Sequence, residues 1–145
     1  MEQHSQSGGL QDSRRSALGW ARVLLLLIGG LAAVFLWLAI VGATSAFLDS
    51  RPGTALLTLS AAIVWVLMAV GLLHNGRRMR RIAWAGAGLN VLMPVIGFFA
   101  ELPLYTWSPW REGGVAYWYV PTVLALVSMW WLHHSSPARL AQHNG

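Results

Sequence analysis

Residues 23–47 read VLLLLIGGLAAVFLWLAIVGATSAF, an apolar run that contains no charged residue. At about 1.5 Å per residue, a helix of this length more than covers the hydrocarbon core of a bilayer, which is about 30 Å thick. A secretory signal peptide has an apolar region of only about 7–15 residues, so we expect this run to be retained rather than cleaved. The stretch therefore predicts a first membrane-spanning helix and decides the fold class.

Three further apolar segments follow the first and are long enough to cross a membrane. They cover residues 54–74, 82–100 and 115–132. Residues 101–114 hold two prolines, two glycines and several charges, so we predict a loop that lies on the membrane surface. Residues 1–17 and 135–145 are polar and are predicted to be cytoplasmic tails, the first of them disordered. The pattern predicts an all-α, four-helix transmembrane bundle over residues 18–134.

The composition of the chain agrees with a membrane protein. Hydrophobic residues make up 56% of it and charged residues only 10%, against about 25% charged in ordinary soluble domains. The absence of cysteine excludes disulfides, thiolate metal sites and dithiol redox chemistry. All 10 basic residues are arginine, which together with much alanine, glycine and tryptophan favours an origin in a GC-rich bacterial genome.

The arginines are distributed unevenly between the two sides that four spans would create. One side holds the N-terminal tail, the middle loop and the C-terminal tail, with Arg14, Arg15, Arg22, Arg77, Arg78, Arg80, Arg81 and Arg139. The other side holds only Arg51 and Arg111. Because positive residues favour the cytoplasmic side, we predict that both termini lie in the cytoplasm. We expect a multi-pass protein of the bacterial inner (plasma) membrane.

The third span carries small or polar residues at intervals of three or four, so that they share one helix face. These residues are Gly86, Asn90, Pro94, Gly97 and Glu101. One interpretation is a pathway lined by Asn90, kinked at Pro94 and gated by Glu101. The other is a packing seam, in which small residues admit a neighbouring helix and Asn90 forms a hydrogen bond across the interface. We favour the seam, because such stripes are ordinary packing devices in membranes.

The first two spans also show small-residue faces that we interpret as packing surfaces. Gly29, Gly30 and Ala33, followed by Trp37, form the first such face. The second face is formed by Thr54, Thr58, Ala61, Ala62 and Trp65. Neither span holds an ionisable residue between its ends, so the sequence gives no sign of a proton relay across the membrane.

The arginine cluster before the third span has two interpretations. The cluster of Arg77, Arg78, Arg80 and Arg81 either contacts anionic lipid headgroups or an acidic partner, or serves only to fix orientation; both hypotheses stay open.

Histidines give a second candidate site. His74 and His133 end the second and fourth spans and could ligate a haem or metal from the same depth. The alternative, that they are interfacial residues beside Trp130 and Trp131, is favoured because supporting groups around them are not recognisable. We therefore predict no metal and no cofactor.

The second half of the chain carries a resemblance in two segments. The first is Arg77-Arg78-Met79-Arg80-Arg81-Ile82-Ala83-Trp84, and the second is Tyr117-Trp118-Tyr119-Val120-Pro121, which leads into an apolar helix ending in Trp131-Leu132. Together they resemble a group of small actinobacterial four-helix integral membrane proteins of unknown function. Where that group often has a glycine-tyrosine-glycine lead into its last helix, this chain has Gly113-Gly114-Val115-Ala116-Tyr117. The resemblance brings no activity with it.

The sequence thus predicts a non-catalytic membrane protein rather than an enzyme. The serines of the spans, Ser45, Ser60 and Ser128, have no histidine or carboxylate near them in sequence to activate a nucleophile. We expect an accessory or structural subunit that lies in the lipid bilayer and packs with another membrane protein or with itself, without binding nucleic acid. The alternative is a small homo-oligomeric transporter or channel with its path along the third span.

Overall fold

The computed structural model describes residues 7–74 and 76–135, without the side chains of residues 7–18 and 113. In chain order its helices are α1 (Ser7–Leu48), α2 (Pro52–Leu73), α3 (Arg77–Phe99), a 3₁₀ helix (Arg111–Tyr117) and α4 (Val120–His134). Three of them are long and apolar enough to cross a membrane, namely α2, α3 and the part of α1 from Gly19 onward. The chain is therefore an all-α protein with the features of a membrane protein, as the sequence predicts.

Helix α2 agrees with its predicted span to within two residues, whereas α3 begins five residues early and includes the arginines of the predicted middle loop. Helix α1 begins at Ser7, well before the predicted first span. Residues 7–17, for which the sequence predicts a disordered tail, thus continue the helix. Residues 1–6 and 136–145, which hold the rest of the predicted tails, lie outside the described residues.

The predicted fourth span is divided, and its first part is not α-helical. The 3₁₀ helix ends at Tyr117, and Trp118 and Tyr119 both take left-handed backbone conformations, with φ of 57° and 60°. Helix α4 begins only at Val120, and Pro121 stands in its first turn. The physical reason is Pro121, whose ring would clash with the carbonyl four residues earlier if the helix ran through it. At 15 residues, α4 is about 22 Å long, shorter than the predicted span.

All four helices contribute to one apolar core. Its buried members include Ile28 and Phe35 from α1, Trp65 from α2, Ala87 from α3 and Leu132 from α4. The rings of Phe35 and Trp65 meet edge to face with their centroids 5.1 Å apart. Because each α-helix supplies buried residues to the same cluster, α4 belongs to the bundle although it is the shortest of the four α-helices.

The two ends of the bundle differ in chemistry. One end holds the turn between α2 and α3 together with the C-terminal end of α4, because Arg80 of α3 contacts Ser135. We call it the arginine end. The opposite end, which we call the loop end, holds the turn between α1 and α2 and the connection from α3 to α4, residues 100–119. All carboxylates whose side chains are described lie at the loop end: Asp49, Glu101 and Glu112.

Candidate functional site

The polar stripe of α3, defined by Gly86, Asn90, Pro94, Gly97 and Glu101, runs from the interior of the bundle to the loop end. Gly86, Asn90 and Pro94 are buried, Gly97 is half-buried and Glu101 is exposed. A Cβ atom placed on Gly86 would lie 3.0 Å from the Cβ of Met68, and one on Gly97 would lie 2.6 Å from the carbonyl oxygen of Trp110. The glycines of the stripe are thus covered by α2 on one side and by the connecting loop on the other.

Asn90 is the polar centre of this stripe and is only 1% exposed. Its side-chain oxygen accepts a hydrogen bond from the indole Nε1 of Trp110 at 2.9 Å. Its amide nitrogen donates to the sulfur of Met68 on α2 at 3.5 Å, a weak acceptor. A buried amide without partners would be costly in an apolar environment, and here both of its ends are used. Residues from α2, α3 and the loop therefore meet at Asn90.

Residues 100–119, which we call the capping loop, fold back over the helices and bury several of their side chains. Trp110 is 4% exposed and Leu104 is 7% exposed. The backbone N–H of Tyr105 donates to the hydroxyl of Thr58 on α2 at 3.2 Å. The ring of Tyr105 covers Gly42 of α1, where an added Cβ would lie 2.6 Å from it. The capping loop is thus held by α1, α2 and α3 together.

Tyr117 closes the capping loop on itself. Its hydroxyl donates to the carbonyl oxygen of Trp107 at 2.8 Å, and its ring meets Phe35 with centroids 4.9 Å apart. Burial raises the pKa of Tyr117 to about 12, so the hydroxyl remains a donor even at alkaline pH where an exposed tyrosine would ionise. Gly114 allows the turn that precedes Tyr117, because its φ of 81° is one that residues with a Cβ rarely adopt.

An open cavity of about 770 Å³ lies outside the capping loop, and Glu101 lines it together with Arg111 and Glu112. Arg111 and Glu112 form an ion pair at 3.5 Å, and Arg111 also donates to the hydroxyl of Thr106 at 3.3 Å. Gly97 lines the same cavity as Glu101, whereas Asn90 is not among its lining residues. Asn90 is instead covered by Trp110 and Met68.

The arginine cluster divides into one structural residue and three exposed ones. Arg80 donates to the carbonyl oxygen of Ser135 at 3.1 Å, to the Ser135 hydroxyl at 3.3 Å and to the carbonyl oxygen of Leu132. These are acceptors at the C-terminal end of α4, where a positive charge stabilises the helix dipole. Arg77, Arg78 and Arg81 are all exposed. The hypothesis of lipid or partner contact therefore applies to these three and not to Arg80.

The two histidines considered as haem ligands lie on the surface of the bundle. His74 and His133 are both exposed, and Nδ1 of His74 lies 3.2 Å from the carbonyl oxygen of Val70 in its own helix. Over the described part of the chain, no three histidine or carboxylate side chains come together in a group that could hold a metal ion.

Several important contacts were not predicted from the sequence. The sequence predicts a surface loop for Trp110 and Tyr105. It gives no signal for the contact of Met68 or for the capping of α4 by Arg80. The packing face of α2 was predicted correctly, since Thr54, Thr58, Ala61, Ala62 and Trp65 are all buried. A buried polar residue such as Asn90 requires a partner, and this requirement was the one available signal that an indole or hydroxyl from elsewhere would reach it.

The small-residue face of α1 is not covered by the described part of the chain. A Cβ on Gly29 or Gly30 would meet no described group within 4 Å, and Trp37 is 68% exposed. Its interpretation as a packing surface stays a prediction.

Comparison of the chain with known protein families, with curated proteins and with solved structures gives no match. The resemblance to small actinobacterial membrane proteins stays a prediction.

Proposed function

We propose that the protein is a non-catalytic, four-span integral membrane protein of the bacterial inner membrane, which works by packing against another membrane protein or a second copy of itself. The observation that carries this proposal is the occupied polar centre of the α3 stripe, Asn90. Both polar ends of Asn90 are occupied by Trp110 and Met68, and the carbonyl of Trp110 covers Gly97. A transporter or channel would need this face to be open to water.

The fourth crossing is supported by the direction of α4. Arg80, in the first turn of α3, caps the last turn of α4, so the two helices run antiparallel between the same two ends of the bundle. The length of α4, about 22 Å, is less than the hydrocarbon core, and a short helix is accommodated by local thinning of the bilayer at modest cost. The arginine end faces the cytoplasm in this proposal, because eight of the ten arginines belong to that side.

The orientation is testable by single-cysteine labelling, for which the cysteine-free chain gives a clean background. Gly53→Cys, in the first turn of α2 at the loop end, and Arg78→Cys, in the first turn of α3 at the arginine end, are matched exposed positions. We expect a membrane-impermeant maleimide to label Gly53→Cys in intact cells and Arg78→Cys only after permeabilisation. The reverse pattern overturns the orientation, and labelling of both in intact cells overturns the crossing.

The packing role is testable by cross-linking from the outward-facing surfaces. Single cysteines at Val34, Ile63 and Leu126 sample α1, α2 and α4 at positions of similar exposure, about half in each case. We expect one helix to cross-link at its outward-facing positions to a defined membrane protein or to a second copy, with native mass spectrometry giving the stoichiometry of the complex. The remaining positions serve as lipid-facing controls.

Solute uptake by the purified protein would instead support the alternative function. If proteoliposomes containing only this chain accumulate a solute, and Glu101→Gln abolishes the uptake, the protein is a transporter and the proposal of a non-catalytic packing subunit is wrong.

A further inference from the structure

An apolar groove of about 450 Å³ lies between α1 and α2 at the arginine end. It is lined by Arg22, Leu25, Leu26, Gly29, Gly30 and Leu73. Leu26 and Leu73 are exposed at 75% and 58%, so no other part of the described chain covers them. The groove follows α1 for about two turns, with a guanidinium at one end and two glycines at the other.

The two glycines produce the depth of this groove. Neither would bring an added Cβ within 4 Å of another group, in contrast to Gly71 and Gly86 between α2 and α3. Glycine within a helix is destabilising relative to alanine unless the missing side chain serves a close approach. No group of the described chain approaches Gly29 or Gly30 closely, so the space above them fits an external apolar occupant.

Arg22 indicates the polar part of that occupant. Its side chain is exposed and has no hydrogen-bond or ion-pair partner among the residues that the structure describes. The described arginine end also lacks carboxylates, while Arg77 and Arg78 are exposed on the neighbouring turn. An unpaired guanidinium recognises phosphate through two parallel hydrogen bonds. Among the residues that the structure describes, the groove therefore combines an apolar channel with a positive rim.

We propose that this groove is a binding site for one anionic phospholipid, with its phosphate on Arg22 and one acyl chain along Gly29 and Gly30. The proposal rests on the membrane placement proposed above, but not on the packing role or on the orientation. A second copy of the chain would bring apolar helix faces to the groove, and the part of its arginine end that the structure describes holds no carboxylate to pair with Arg22. A phospholipid with a negative headgroup satisfies both parts of the groove at once.

The test is native mass spectrometry of the delipidated full chain with added dioleoyl phosphatidylglycerol or dioleoyl phosphatidylcholine, which share acyl chains and differ in net charge. We expect one retained phosphatidylglycerol and at least a fivefold preference for it over phosphatidylcholine. Arg22→Gln should lose most of that preference, and Arg22→Lys should keep part of it. Arg51→Gln, at an exposed arginine of the loop end far from the groove, is the control and should bind as the unmodified chain does.

Gly29→Leu tests the apolar part, since it fills the groove at a position with free space around it. We expect this variant to keep its thermal stability in detergent and to lose the retained lipid of either headgroup. Unchanged headgroup preference in Arg22→Gln overturns the proposal. Conversion of a dimer into a monomer by Gly29→Leu, with lipid retention unaffected, also overturns it and identifies a second copy as the occupant.

Discussion

Two pairs of glycines in this bundle stand in opposite surroundings. In the seam between α2 and α3, a Cβ on Gly71 would lie 2.8 Å from backbone atoms of Met79 and Ala83, and Gly86 would meet Met68 at 3.0 Å. On α1, Gly29 and Gly30 would meet nothing within 4 Å. The same residue type thus allows close helix contact in one region and leaves a groove in the other. A small-residue face shows that something can approach closely, without identifying what does.

The largest expected effect comes from filling the seam. Gly71→Leu places a side chain against the backbone of α3, and we expect a loss of about 3 kcal/mol in the free energy of unfolding, the upper part of the range for overpacked cores. Gly29→Leu, its counterpart in the groove, should not lower that free energy in lipid-free detergent and should raise it by up to about 1 kcal/mol, because leucine favours a helix more than glycine does. Denaturant titration followed by circular dichroism measures both. Equal losses in the two variants would show that the groove is part of the packed bundle.

A smaller effect is expected where the capping loop extends the seam. Trp110→Phe and Asn90→Leu each leave a buried polar partner unpaired, and the double variant removes both. We expect a coupling of about 1 kcal/mol between the two positions, typical of hydrogen bonds within membrane proteins. Trp118→Phe is the control, because Trp118 is 89% exposed. Additive losses in the double-mutant cycle would mean that the two side chains do not interact.

The smallest effect separates the arginines at the opposite end of the seam. Arg80→Gln removes the cap of α4 and should cost about 0.5 kcal/mol. The loss should appear locally, as faster amide hydrogen exchange in the last turn of α4. Arg78→Gln, with the same charge change on an exposed side chain, should leave that exchange unaltered. If both variants accelerate exchange equally, net charge rather than capping stabilises the turn.

The long helices could be predicted from the sequence, and the contacts that join them largely could not. An uncharged run such as residues 54–74 fixes α2 almost alone, because the thickness of a bilayer sets the length it needs. The stripe around Asn90 was likewise readable from the period of an α-helix. The capping loop was not, since Trp110 reaches Asn90 across 20 positions of chain. The start of α4 was missed because apolar composition outweighed Pro121, although the proline restricts the backbone before it.

The docking of Trp110 also has a consequence for biogenesis. Its acceptor is Asn90, which α3 holds against Met68 of α2, and Tyr105 rests on Thr58 and on Gly42 of α1. The residues that the loop contacts all precede it in the chain, and folding proceeds from the N-terminus onward during synthesis. The surface of α1, α2 and α3 on which the loop packs is therefore synthesised before α4. A chain whose α2 and α3 have paired out of register offers Trp110 no acceptor, so the loop can close only over a correctly assembled helix pair.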